Sequence, residues 1–185
     1  MKKVASIIRS TSHQIYVAQV VNPRSEVNPN DYALGKFVRF ELDLVGLIYD
    51  TELFNPLALS YTEQKEEQAV YVPDLKDETN IFIKLLLLGS ICGGCGDQRL
   101  PDLLLEAGVG VFQIEPEKVR DFHLDRSAKF QLKYLSQLKE VTGGINLTIL
   151  DKIKKQLHSV FDHKQLKILE LVERDLKWQS FAVAA

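Results

Sequence analysis

Two cysteines in 185 residues cannot build a disulfide framework, so the thiol content does not call for an oxidising compartment. Long apolar runs are also missing. The longest, Ile81-Phe-Ile-Lys-Leu-Leu-Leu-Leu88, is interrupted by Lys84. It falls far short of the roughly 20 residues that a membrane-spanning helix requires. No secretory leader is expected either. Met1-Lys-Lys-Val-Ala-Ser-Ile-Ile8 begins like one, but Arg9, Ser10, Thr11 and Ser12 end the apolar stretch too early. These absences make a cytoplasmic location the expectation. Internal repeats and low-complexity tracts are likewise missing.

What is present is ordinary globular material, 45% hydrophobic and 26% charged, enough for one good core and a small appended unit. The net charge of −2 hides a split. Residues 1–125 hold 12 Lys/Arg against 19 Asp/Glu, whereas residues 126–185 hold 11 against 6. Two such regions either attract each other or face different partners.

Along the chain, Val4, Ile7, Ile8, Ile15, Val17, Val20 and Val21 fit two short strands or one bulged strand interrupted at His13-Gln14. Asn22-Pro23 and Asn28-Pro29 mark a loop. Leu34–Leu42 alternates cleanly, with Phe37, Arg39 and Glu41 on one face and Val38, Phe40 and Leu42 on the other. Asp43 turns the chain into a returning strand, Leu44–Tyr49, whose Gly46 marks a bulge or bend. Residues 50–79 read as a looser, solvated excursion, with a short strand at Val70-Tyr-Val72. Ile81–Leu88 reads as a buried strand that turns at Gly93-Gly94 and returns through Gln98-Arg-Leu100. Val109–Ile114 supplies another strand.

After Asp125 the apolar period lengthens from two to three and four. Phe130, Tyr134, Leu138 and Val141 predict an amphipathic helix over 126–142, stopped by Gly143-Gly144. A second helix is predicted over 147–160 with Asn146 as its N-cap, and Asp162 caps a third. The fold expected is therefore α+β. A small N-terminal β-barrel occupies residues 1–122, and a C-terminal helical segment of about three helices occupies 123–185.

Val4-Ala-Ser-Ile-Ile-Arg-Ser-Thr-Ser12, Leu34-Gly-Lys-Phe-Val-Arg-Phe40 and Leu44-Val-Gly-Leu-Ile-Tyr49 resemble the HAS barrel. That is the small β-barrel at the N-terminus of HerA-type DNA translocases and of the ATP synthase α and β subunits. Leu85-Leu-Leu-Leu-Gly-Ser90, Gln98-Arg-Leu-Pro101 and Gly108-Val-Gly-Val-Phe112 are similar to the second half of HerA-type barrels. The resemblance covers roughly the first 120 residues. It departs where the translocases continue into an ATPase built on a P-loop, G-x-x-x-x-G-K-[ST]. The only Gly-Lys pair here, Gly35-Lys36, leads into a strand and offers no helix N-terminus to a phosphate. ATP hydrolysis is not carried over. The resemblance implies an assembly role, in which the barrel packs beside copies of itself or docks a partner protein.

Cys92-Gly-Gly-Cys95 is the most conspicuous motif, open to three readings: a structural hairpin, an intersubunit metal or disulfide site, or a redox pair. The hairpin leads. Glycines at 93, 94 and 96 favour a turn between strands, which lacks the helix dipole that activates a redox thiolate. One chain offers no second C-x-x-C and no metal site of its own, although two copies together would bring four thiolates. His13, His123, His158 and His163 lack paired-ligand spacing and read as surface or core residues. Ser12-His13 does not preassemble a nucleophile and its base, because strand neighbours point to opposite faces. Glu63, Glu66 and Glu67 read as a solvated loop rather than as a metal patch.

The tail carries Lys152, Lys154, Lys155, Lys164, Lys167, Arg174 and Lys177, able to contact phosphates non-specifically or to form a solvated basic face. Gln156, Gln165 and Lys164 are the available readers for a helix–turn–helix arrangement. Trp178 and Phe181 read as packing anchors or a docking patch. Taken together, the sequence predicts a non-enzymatic assembly or adaptor module, without cofactor, that oligomerises or binds a partner protein. The alternative is a nucleic-acid-associated accessory factor using the basic tail.

Overall fold

Four successive leucines, Leu85–Leu88, lie without solvent exposure in the strand Asn80–Cys92 (β5). Side chains alternate across a strand, so a run that is apolar at every position must be covered on both faces. Ile83, Leu85 and Leu87 join one core with Val4, Ile7, Tyr16, Val38, Phe40 and Val111. Leu86 and Leu88 join a second, built with Phe37, Val45 and Leu47 and with apolar residues of the helices. The computed structural model describes residues 2–21, 28–54, 80–143 and 146–183, with residues 176–183 described by backbone alone.

The first core is enclosed by strands. Lys3–Ser10 (β1), Ile15–Val20 (β2), Phe37–Phe40 (β3), Leu44–Phe54 (β4), β5, Cys95–Asp97 (β6) and Gly110–Gln113 (β7) form one seven-stranded sheet. Its order is β2-β1-β7-β3-β4-β5-β6, and the paired strands run antiparallel. β2 also pairs with β5, from Ile15↔Leu86 to Gln19↔Phe82. Six strands thus form a closed cycle of hydrogen-bonded neighbours, with the short β6 appended to β5. Closing the cycle pairs edges that would otherwise be open to other chains. Register shifts at Ile7/Arg9, Val45/Gly46 and Ile48/Asp50 supply the bends that closure needs. At Gly46 a β-carbon would sit 2.6 Å from the Phe40 ring, so the missing side chain makes room for Phe40 in the core.

Several sequence expectations change here. Residues 34–36 are not strand, and β3 is only four residues long. Glu41–Asp43 winds into a 3-10 turn with Leu42 at φ 61° and 76% exposed, so Leu42 does not continue the buried face of Val38 and Phe40. β4 continues to Phe54, past the point at which a loose excursion was expected, because it stays paired to β5 as far as Phe54↔Asn80. The expected strand at Val70–Val72 and the carboxylates Glu63, Glu66 and Glu67 lie outside the described residues. The return strand after the glycine turn covers Cys95–Asp97 and stops before Gln98-Arg-Leu100.

The described residues hold four helices, against about three expected: Pro116–Phe122 (α1), Tyr134–Thr142 (α2), Leu147–His158 (α3) and His163–Val183 (α4). α1 is the unforeseen one, started by proline at its first position and buried through Val119 and Phe122. α2 begins eight residues later than predicted from 126. Asp125 holds the chain back from helix: its carboxylate accepts from the Ser127 and Lys129 N–H groups at 2.8 and 2.9 Å. Two other signals hold. Gly143 ends α2 at φ 67°, and the Asn146 side chain caps α3 by accepting from the Thr148 N–H at 2.8 Å.

One side chain clasps the helices to the sheet. Gln156 of α3 donates from Nε2 to the Gly35 carbonyl at 2.6 Å and accepts from the Phe37 N–H at 3.2 Å. Lys152 of the same helix lies where a β-carbon on Gly35 would be, at 2.7 Å. Gln156→Ala strands one backbone donor and one acceptor at this seam. It is expected to cost about 1–3 kcal/mol, read as a lower urea midpoint with an unchanged slope.

Candidate functional site

β5 and β6 meet at Gly93-Gly94, whose φ values of 59° and 76° are the left-handed pair that a two-residue hairpin turn demands. Cys92 and Cys95 therefore stand opposite each other in register. Both are free thiols, Cys92 exposed and Cys95 partly so, and the Cys95 Sγ donates to the Cys92 carbonyl at 3.0 Å. Nothing lies within 4 Å of the β-carbon positions at Gly93 and Gly94, although the turn faces Leu124, Asp125, Arg126 and Ala128 across a shallow pocket. The glycines thus form the turn between strands that the sequence predicts.

A cleft of about 450 Å³ runs beside the thiols, and Asp97, Arg99, Arg126 and Lys133 line it. Asp97 is held by Arg99, with Nε at 2.9 Å and the backbone N–H at 3.1 Å. The Arg99 guanidinium brings the Asp97 carboxyl down to about 2. Asp125 is also below the usual range, chiefly because it accepts the Lys129 N–H. Among the described residues no group of three or more His, Cys, Asp or Glu is placed to hold a metal ion.

Behind the hairpin a buried polar network fixes this arrangement. Gln98 is 3% exposed and donates to the Phe122 and Gln131 carbonyls at 3.1 and 3.2 Å. It also accepts from the Lys133 N–H at 2.7 Å, and Gln131 donates to the Gly96 carbonyl at 2.8 Å. These bonds bring residues 97–99 and 125–133 to one cleft. Sequence reasoning missed Arg99, Arg126 and Lys133 as cleft residues. Their gathering rests on Gln98 and Gln131, whose partners lie far away in the chain, so no local pattern announced it.

His123 has no exposure and sits among Phe37, Phe122, Phe130, Phe161 and Tyr134. Its Nδ1 faces the Val119 carbonyl at 2.7 Å, which can only accept, so Nδ1 carries the proton. Nε2 then accepts from the Tyr134 hydroxyl at 3.0 Å. Burial pushes the imidazole down to about 4, despite the opposing bond to Val119, and raises the Tyr134 phenol. His123 is a neutral core residue. His13, His158 and His163 are exposed. Ser12 accepts from the Gln14 and Ile15 N–H groups and shapes the β1–β2 turn.

The basic tail is only partly gathered. Lys154 bridges to Glu170 and Glu173 at 3.9 and 3.1 Å, and Lys155 pairs with Asp151 at 2.8 Å. Lys152, Lys164, Lys167 and Arg174 are exposed, while the side chains of Lys177, Trp178 and Phe181 lie outside the described residues. Two candidate base readers are employed elsewhere. Gln156 clasps the sheet, and the Gln165 side chain accepts from the Asp162 N–H at the start of α4. No helix of the described residues is long and apolar enough to cross a membrane.

Fold and site define an α+β protein whose antiparallel sheet carries helices on one outer face and a thiol hairpin at one end. The chain belongs to the family described as domain of unknown function DUF8166, which it matches over residues 1–185. No curated protein matches it.

Proposed function

We propose that the closed cycle of strands is a HAS-type β-barrel and that the chain is a non-catalytic assembly or adaptor module. On this reading the barrel binds a partner protein or further copies of itself. The observation that carries it is the filled interior of the cycle. Tyr16, Phe40, Ile48, Ile83, Leu85 and Leu87 occupy that interior with no exposure. A ring plugged by its own side chains has no room for a substrate, and what it offers to other molecules is its outer surface. Apolar side chains stand out on that surface, Leu42 at 76% and Leu53 at 69% exposure foremost.

A nucleic-acid role has a narrower basis. Lys164, Lys167 and Arg174 are exposed along α4, but Lys154 and Lys155 are already paired with acids. Light scattering after size exclusion, with and without duplex DNA, separates the readings. The adaptor reading expects a mass above that of one chain, unchanged by DNA, and no ATP turnover. A strict monomer at high concentration that recovers no partner in pull-downs overturns it. The second reading expects binding that falls steeply with salt and is lost in a Lys164→Glu/Lys167→Glu/Arg174→Glu variant. Charge reversal is preferable to deleting residues 126–185, because the helices share a core with the strands.

A further inference from the structure

We propose that Cys92 and Cys95 are half of a metal site, completed when two copies of this chain bring their hairpins together around one thiophilic cation such as Zn(II). The inference rests on the self-association reading above and names the contact that produces it. A C-x-x-C turn is the spacing at which a short loop delivers two sulfurs to one metal. Here the chain's two cysteines are register partners across a two-residue turn, and both are free. Tetrahedral zinc needs four donors, and one chain gives two.

The missing donors do not come from the same cleft. Arg99 holds the Asp97 carboxylate, and the Ser127 and Lys129 N–H groups hold that of Asp125. No third His, Cys, Asp or Glu joins the thiols among the described residues. The turn leaves room on its outer side for a second hairpin, since a side chain added at Gly93 or Gly94 would meet nothing within 4 Å. A two-fold axis through the metal makes the contact self-complementary, each copy presenting the same two sulfurs.

Charge supplies an independent argument. Binding follows Zn²⁺ + 4 RSH → [Zn(SR)₄]²⁻ + 4 H⁺, so a divalent ion becomes an anionic centre. Arg99, Arg126 and Lys133 line the cleft beside the thiols together with Asp97 and Asp125, three cations against two carboxylates. Each copy therefore brings a surplus of one positive charge, and the two surpluses of a dimer offset the charge that four thiolates leave on the complex.

The test uses the full chain, reduced with a phosphine, stripped with a chelator, checked for two titratable thiols per chain and titrated with Zn(II) or Co(II). The expected result is saturation at one ion per two chains, with a doubled mass in light scattering. Cobalt should give the intense visible absorption of a tetrahedral thiolate site. Cys92→Ser and Cys95→Ser should each weaken binding by about 100-fold or more, since each removes two of four ligands from the dimer. Circular dichroism should show both variants folded, because Cys92 is exposed and Cys95 partly so, and serine is close in size to cysteine. One ion per chain without a change of mass overturns the proposal. So does affinity that is indifferent to Cys92→Ser, or a hairpin that closes to an intrachain disulfide under phosphine. An oligomer that persists in the double serine variant and ignores the metal overturns this site and leaves the adaptor reading standing.

Discussion

Gly96→Ala is expected to lower stability by more than ~3 kcal/mol, the largest effect of any single methyl group discussed for this chain. The β-carbon would lie 1.9 Å from the Phe122 carbonyl oxygen and 2.5 Å from its carbon. Both are backbone atoms, so no side chain can swing aside. β6 would have to lift away from residues 122–124, and the bonds that hold it there would go together. The Gly96 N–H donates to the Leu124 carbonyl at 2.8 Å, and Gln131 reaches the Gly96 carbonyl at the same distance. Gln98, with its three bonds to Phe122, Gln131 and Lys133, would lose its setting in the core. Each buried polar group left unsatisfied costs about 1–3 kcal/mol, in addition to the overpacking itself. Gly93→Ala makes a sharp comparison. It carries left-handed strain at φ 59° but meets nothing within 4 Å, so about 1 kcal/mol is expected. Urea titration of the two variants decides the matter. If Gly96→Ala unfolds within 0.5 kcal/mol of the parent, on the order of a neutral surface change, the close approach described here is wrong.

The second large effect is a pH dependence centred on His123. In the unfolded chain its imidazole titrates near the ordinary value of about 6.5. In the folded chain burial holds it at about 4. Between those values the unfolded state binds the extra proton, so stability falls as pH drops from 6.5 towards 4 and is fully present above 6.5. The loss across the window is about 3 kcal/mol for this one group. His123→Gln retains a donor and an acceptor for Val119 and Tyr134 but cannot titrate, so its stability should be nearly flat over the same range. Urea midpoints at several pH values test this. A parent that is equally stable at both ends of the window would mean that the ring is not buried in neutral form.

These two sites also mark how far the sequence could be read. β5 was legible because Ile81–Leu88 is apolar at nearly every position, a pattern that a two-sided strand explains. α3 was legible from its cap and its stripe, Leu150, Ile153 and Leu157. α1 was not, since seven residues with Val119 and Phe122 give one apolar spacing and no repeat. The helix predicted from 126 is longer than the one observed for a related reason. Phe130 and Tyr134 are four apart and both reach the helical core, yet Phe130 arrives through a bridge to Leu124. Spacing alone cannot tell those routes apart. The cysteine hairpin was visible because its thiols and glycines are adjacent. Its charged surroundings were not, because Arg99, Arg126 and Lys133 are brought to it by glutamine side chains whose partners are distant in sequence.

The outward-facing half of β5 bears on how the protein is made. All seven described strands have been synthesised once Gln113 has left the ribosome, yet Phe37, Val45, Leu47, Leu86 and Leu88 still lack their cover. That cover is completed only when Leu157, Leu166 and Leu169 follow. During this interval the nascent chain carries a finished set of strands with a greasy exterior, the condition in which partly made proteins adhere to one another. A product cut short before α3 is therefore expected to aggregate, and translation must pass Leu169 before this face is covered.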